Sequence, residues 1–360
     1  MASLEFDLID RYFKEPFGPL LASHATRVPL GIGDDCAMLN PDPGHTLFVS
    51  TDTLVSGVHF YPDVAPQDLG WKALAVNLSD LAASGAEPLG FTLALSLPAL
   101  DPAWLHHFSD GLLRIAQTHR CPLVGGDTTK TNLPGGLSIT VTVFGQAPAL
   151  HSGFPRSSAV EGHRLWAQGL PGLARIGLLL EADQRGLYDT VAMQPDSAVW
   201  TALKAGMPQA VRLRACQQLN CPQPQIQLGL QLRNLAAACL DTSDGLSGDV
   251  AHIAQASQVA VLIKESALLD AWHRAFPEWI GQLNLNERQW LLDCALTGGD
   301  DYGLCFTAAP TADVALRQLS GPHALFELGM VTAGQGVWLQ SQGDASLNPV
   351  PLVKRSYTHF

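Results

Sequence analysis

Leu89-Gly90-Phe91-Thr92-Leu93-Ala94-Leu95-Ser96-Leu97, bounded by Pro88 and Pro98, sets Leu and Phe at every second position against small or polar residues. Successive side chains of a strand point to opposite faces, so this spacing predicts a strand with one face buried and one open. Upstream, Asp68 to Ser84 is rich in Ala and Leu, has no proline and no glycine after Gly70, and meets Gly85. That pattern predicts a helix with a glycine stop, and Asp80 lies on it. Downstream, Asp101 and Pro102 supply an N-cap and a first-turn proline, and Trp104, Phe108, Leu112 and Ile115 follow at helical spacing toward His119. Leu137, Ile139, Val141 and Val143 alternate with Ser138, Thr140 and Thr142 as a further strand. Leu47-Phe48-Val49 reads as a short strand that delivers Ser50, Thr51, Asp52 and Thr53 at its C-terminal end. Strands interleaved with helices imply an α/β or α+β layered architecture.

The chain has 360 residues, and at roughly 150 residues per domain two domains are expected. Gln146 to Gly162 contains Pro148 and Pro155, serines and no period, which makes it the expected boundary, with domains over 1–148 and 149–360. Gln217 to Gln227, rich in Pro and Gln, reads as a surface loop. A composition of 47% hydrophobic and 15% charged residues belongs to a chain with a sizeable core. The formal net charge of -12 and the lack of any Lys/Arg run argue against a nucleic-acid surface. Seven cysteines, odd in number and without a C-x-x-C pair, read as reduced core thiols. The first residues lack a basic-then-apolar leader, and no stretch reaches the roughly 20 apolar residues of a membrane span, so a cytoplasmic protein is expected.

The residues able to carry chemistry fall in short acidic clusters: Gly31-Ile32-Gly33-Asp34-Asp35, Ser50-Thr51-Asp52-Thr53, Gly125-Gly126-Asp127-Thr128-Thr129, Asp241-Thr242-Ser243-Asp244-Gly245 and Gly298-Gly299-Asp300-Asp301, with Asp80 as a further point. An Asp beside Gly, Ser or Thr is most often a turn or a cap. Five such loops are more than turn chemistry requires, and carboxylates with hydroxyls are the hard oxygen donors that magnesium takes beside a polyphosphate. There is no P-loop, no protein-kinase motif set, no G-x-G-x-x-G opening a helix and no nucleophile elbow. ATP chemistry on another fold is the reading that remains.

In order along the chain, Leu30 to Ala37, Ser50 to Val55 with His59 and Phe60, Lys72 to Ala83, Gly125 to Thr129, Asp241 to Gly245 and Gly298 to Tyr302 resemble the thiamine-monophosphate kinase family, within the aminoimidazole ribonucleotide synthetase-like superfamily. The resemblance is strongest in the N-terminal half and loose from Glu161 to Gln231. It implies an N-terminal α/β domain that pairs in a homodimer, a C-terminal α+β sandwich, and ATP held between them by several Mg2+ ions. It also implies transfer of phosphate to thiamine monophosphate. Carried onto this sequence, Asp35, Ser50, Thr51, Asp52, Asp80, Asp127, Asp241 and Asp244 are the implied metal ligands. Gly126, Asp127, Arg156 and Ser243 are the implied nucleotide contacts, and His59, Asp300 and Lys354 fall at substrate positions. No general base or covalent nucleophile is expected, because a phosphomonoester acceptor is already largely ionised near neutral pH.

Asp300 stands where the family carries Glu, Lys354 where it carries Trp, and Ala167-Gln168-Gly169 where it carries Val-Thr-Gly. Two alternatives stay open at this point: a superfamily enzyme with another substrate, and a nucleotide- or metal-binding relative without turnover. His59 also reads as a hydrogen-bonded structural histidine and Arg156 as a solvated surface arginine. Asp110, Asp183 and Asp249 read as surface or capping acids, and His106-His107 as a surface pair on a helix.

Overall fold

The computed structural model describes residues 4–133, 135–192, 194–341 and 349–352. The chain divides into two compact units, Met1–Gly153 and Phe154–Phe360. The break lies within the Gln146–Gly162 segment but past residue 148, because a strand continues through Pro148 before the chain leaves the first unit.

In the first unit, His45–Val55 (β1), Glu87–Leu97 (β2), Leu123–Lys130 (β3) and Ser138–Pro148 (β4) form one sheet in the order β1-β4-β2-β3. The pairs β1/β4 and β2/β4 are antiparallel and β2/β3 is parallel. Helix Pro66–Ala83 packs on this sheet, and helix Pro102–His119 packs on that helix. The two helices meet at Gly70 and Gly111, where a Cβ would lie 2.1 Å from the Phe108 carbonyl oxygen and 1.8 Å from that of Gln67. Asp101 caps the second helix through the backbone N–H groups of Ala103 and Trp104, at 2.9 and 3.2 Å.

β1 is longer than its apolar run. Ser50, Thr51, Asp52 and Thr53 lie inside the strand and not at its end, because Thr is a good strand former and the Thr51 and Thr53 hydroxyls each meet a cross-strand partner, Thr142 and Thr140, at 2.8 Å. The alternation therefore splits the segment. Ser50 and Asp52 face the helix Pro66–Ala83, while Leu47, Val49, Thr51 and Thr53 are exposed on the other face.

At the end of helix Pro102–His119 the ring of His119 is half-buried, and its Nε2 is shut off from solvent with no hydrogen-bond partner among the described residues. Burial lowers its pKa to about 4. Below the unfolded value of 6.5 the unfolded chain takes up a proton that the folded chain refuses, so stability is lost as pH falls from about 6.5 toward 4. His119→Leu is expected to close this gap: its melting temperature should rise relative to the parent as pH is lowered from 7 to 4.5, in paired thermal melts. A constant difference across that range would count against the buried neutral imidazole.

In the second unit, Arg164–Gln168 (β5), Ala236–Asp241 (β6), Ala260–Lys264 (β7), Leu304–Ala308 (β8), Leu325–Thr332 (β9), Gly336–Gln340 (β10) and Val350–Pro351 (β11) form a mixed sheet in the order β11-β10-β7-β9-β5-β8-β6. Trp166 and Phe306 on this sheet, and Trp200 and Trp272 on helices of the same unit, are among its largest buried side chains. β6 and β8 are antiparallel, with Asp241 opposite Leu304. The loop leaving β6 and the loop entering β8 therefore share one end of the sheet.

Two further expectations change. Gln217 and Gln218 belong to helix Gln209–Asn220, since Gln is a good helix former and the chain breaks only before Pro222. No disulfide joins any of the seven cysteines, but only Cys121, Cys239, Cys294 and Cys305 are buried and Cys36 is exposed. Among the described residues no helix is long and apolar enough to cross a membrane.

Candidate functional site

The second unit joins two of the acidic loops directly. Asp241 ends β6, Thr242-Ser243-Asp244 turn, and Gly245 at φ +116° leads into helix Leu246–Ser257. The Gly298–Tyr302 turn lies against this loop: the Asp300 N–H donates to the Ser243 carbonyl and the Tyr302 N–H to the Thr242 carbonyl, both at 2.8 Å, while the Thr242 N–H donates to the Gly303 carbonyl, also at 2.8 Å. Glycine is required at Gly299, where a Cβ would lie 2.5 Å from the Ser243 oxygen. Asp241, Ser243, Asp244 and Asp300 thus come to one end of the sheet. The Tyr302 hydroxyl donates to the Asp300 carboxylate at 3.2 Å, which orients it.

Beneath each loop lies a buried carboxyl. Asp249, 4% exposed in the first turn of helix Leu246–Ser257, accepts the Asp244 N–H at 3.3 Å. Burial, and then the charge of Asp244, push its pKa up to about 7. It is a buried cap and not a surface acid; the legible signal was an acid in the first turn after Asp-Thr-Ser-Asp-Gly. Arg156 lies against the same helix, its carbonyl accepting the Ser257 hydroxyl at 2.7 Å, and its charge opposes the rise at Asp249. Asp301, 7% exposed, accepts the N–H groups of Gly172 and Ala174 at 2.5 and 3.0 Å and so caps helix Leu173–Gln184 from outside it. Burial raises its pKa to about 7.

In the first unit, Ser50 donates to Asp80 at 2.5 Å, and the Asp52 N–H donates to Asn77 one helical turn earlier, at 3.0 Å. Ser50, Asp52 and Asp80 are thereby brought to one side of β1. Thr51 is not: its side chain is on the opposite face. The β3 register sets Asp127 beside Ala94, which lies with Thr140 on that opposite face too. Asp35 is exposed in a loop closed by the Met38 N–H on the Leu30 carbonyl at 2.9 Å. Among the described residues no three His, Cys, Asp or Glu side chains gather as a metal-holding group. His59 accepts the Val55 N–H on Nδ1 at 3.0 Å, so its neutral ring carries the proton on Nε2. Lys354 lies outside the described residues.

Asp110 and Asp183 are surface acids paired with His106, at 3.6 Å, and Lys204, at 2.7 Å.

Residues 33–147, most of the first unit, match the family described as AIR synthase related protein, N-terminal domain. That match defines the class of fold. Over its full length the chain is 39% identical to the thiamine-monophosphate kinase of Escherichia coli (strain K12), with 100% of this chain and 99% of that protein covered. The chain belongs to the thiamine-monophosphate kinase family. The crystal structure of thiamine-monophosphate kinase from Stenotrophomonas maltophilia K279a is 37% identical, with a TM-score of 0.75 over 96% of this chain and 99% of that one. A solved structure of AaThiL complexed with AMPPCP and TMP is 25% identical, with a TM-score of 0.65 over 100% and 98%.

Proposed function

We propose that this protein is a thiamine-monophosphate kinase, transferring the γ-phosphoryl group of ATP to the phosphate of thiamine monophosphate. The observation that carries the reading is the end-to-end identity with the E. coli kinase, and a relative solved with AMPPCP and TMP supports it. The acceptor oxygen is already anionic, so the reaction needs no general base; what opposes it is repulsion between two phosphates.

Ser50, Asp52 and Asp80 in one unit, and Asp241 and Asp244 in the other, offer hard oxygen donors that suit Mg2+, with Asp35 as a further donor. Thr51 and Asp127, with side chains on the other sheet face, are left out of that set. Magnesium, when bound, supplies neutralisation of phosphate charge. Gly126, Ser243 and Arg156 are assigned to the nucleotide. Asp300, its carboxylate held by Tyr302, offers a counter-charge to the cationic thiazolium, and His59 offers its Nε2–H as a donor.

The homodimer belongs to the same reading. Its surface is the exposed face of β1 and its neighbours, with Leu47 42% and Val49 56% exposed. Thr51, Thr53, Thr140 and Thr142 make that face partly polar. Incubation with thiamine monophosphate, ATP and Mg2+ should yield thiamine diphosphate and ADP in equal amounts, and light scattering should give twice the chain mass. ADP without thiamine diphosphate would refute the substrate, and a monomer at micromolar concentration would refute the dimer.

A further inference from the structure

The Asp300–Tyr302 turn holds two non-glycine residues in the left-handed region, Asp300 at φ +65° and Tyr302 at φ +48°. Such a residue is strained and persists only where its surroundings over-determine it. The surroundings here act from two sides. On one, Ser243 and Thr242 accept the Asp300 and Tyr302 N–H groups at 2.8 Å. On the other, the Asp301 carboxyl holds the N-terminus of helix Leu173–Gln184, and the Asp301 carbonyl accepts the Gln218 side-chain amide at 2.7 Å.

We infer that Gln218 is a positioning residue for Asp300: by holding the Asp301 carbonyl it fixes the Asp301–Tyr302 peptide, and through Tyr302 the carboxylate proposed to meet the substrate. The inference rests on the proposed role of Asp300. Gln218 lies 83 residues away in sequence, on helix Gln209–Asn220, in the region where the family resemblance is loosest. Without Gln218 that peptide keeps the Tyr302 N–H bond to the Thr242 carbonyl but loses its second anchor, so Tyr302 more often samples the negative φ that L-residues prefer. The Tyr302 hydroxyl then leaves the Asp300 carboxylate, which it meets at 3.2 Å. The neighbouring Gln217 is exposed and makes no hydrogen bond to this turn, so it serves as a matched control.

The test compares Gln218→Met, which keeps length and helix propensity but removes the donor, with Gln217→Met and Asp300→Ala. A net hydrogen bond of about 0.5–1.5 kcal/mol corresponds to a rise of about two- to tenfold in the KM for thiamine monophosphate in Gln218→Met. The KM for ATP and kcat should stay near those of the parent and the melting temperature within a few degrees of it, while every parameter of Gln217→Met should match the parent. Gln218→Lys, which restores a donor on a flexible stem, should recover much of the loss. A normal KM for thiamine monophosphate in Gln218→Met, beside a raised one in Asp300→Ala, would overturn the inference and leave the role of Asp300 intact. Equal losses in both KM values and in stability would overturn it as well, since they mark a purely structural contact. No change in Asp300→Ala would overturn both readings together.

Discussion

Asp80→Asn is expected to cut turnover at saturating ATP by at least about a hundredfold while leaving the melting temperature within a few degrees of the parent. Asn has the same shape, and its carbonyl oxygen still accepts the Ser50 hydroxyl, which meets Asp80 at 2.5 Å. What disappears is one negative charge from the side of β1 where Ser50 and Asp52 also stand. Asp80 is half-exposed on a helix otherwise buried along most of its length, so its carboxylate stands open to a cation. A charge that exists to hold a cation should show itself in kcat and in the Mg2+ concentration needed for half-maximal rate. Steady-state kinetics across a magnesium titration provide the check, and activity within threefold of the parent would remove Asp80 from the site.

Much of the scaffold was legible because local rules agree with it. The unbroken alternation from Leu89 to Leu97, the Asp101-Pro102 helix start and the Gly85 stop each specify an element without tertiary help, and β2, helix Pro102–His119 and helix Pro66–Ala83 follow. Composition and spacing also marked the acidic loops. Which loops meet was not legible: Asp241–Gly245 and Gly298–Tyr302 are brought together by the β6/β8 register, a pairing across more than fifty residues. The two faces of β1 were hidden for a related reason. Once β1 is seen to run on through Val55, strand alternation turns Thr51 and Asp52 apart, and the cross-strand threonine pairs mark the face. Asp249 read as a surface or capping acid and Asp301 as part of an acidic loop, because burial, which makes them caps with pKa values of about 7, is a property of the packed chain.

Gly126→Ala is expected to destabilise the first unit by on the order of 3 kcal/mol or more, whereas Gly125→Ala should fold almost as well as the parent. Both glycines belong to Gly125-Gly126-Asp127, which as sequence reads simply as a loop that lets backbone approach a ligand. In the structure they differ. Gly126, at φ +155°, pairs with Leu93 across the parallel β2/β3 ladder, and a Cβ there would lie 1.9 Å from the Leu93 carbonyl oxygen. That oxygen belongs to the backbone of a central strand and has no flexible side chain to yield, so the ladder must shift. A Cβ on Gly125 would meet nothing nearer than the Thr92 methyl at 3.9 Å, an ordinary contact. For a unit of about 150 residues the loss at Gly126 corresponds to a fall of about 6–12 °C in melting temperature, while Gly125→Ala should stay within about 2 °C. Thermal melts followed by ATP titration separate the two demands on this loop. Equal melting temperatures would show that the strand contact does not explain Gly126. A stable Gly125→Ala protein with a much higher KM for ATP would place the close approach of the nucleotide at Gly125, and the need for glycine at Gly126 would then belong to the sheet and not to the ligand.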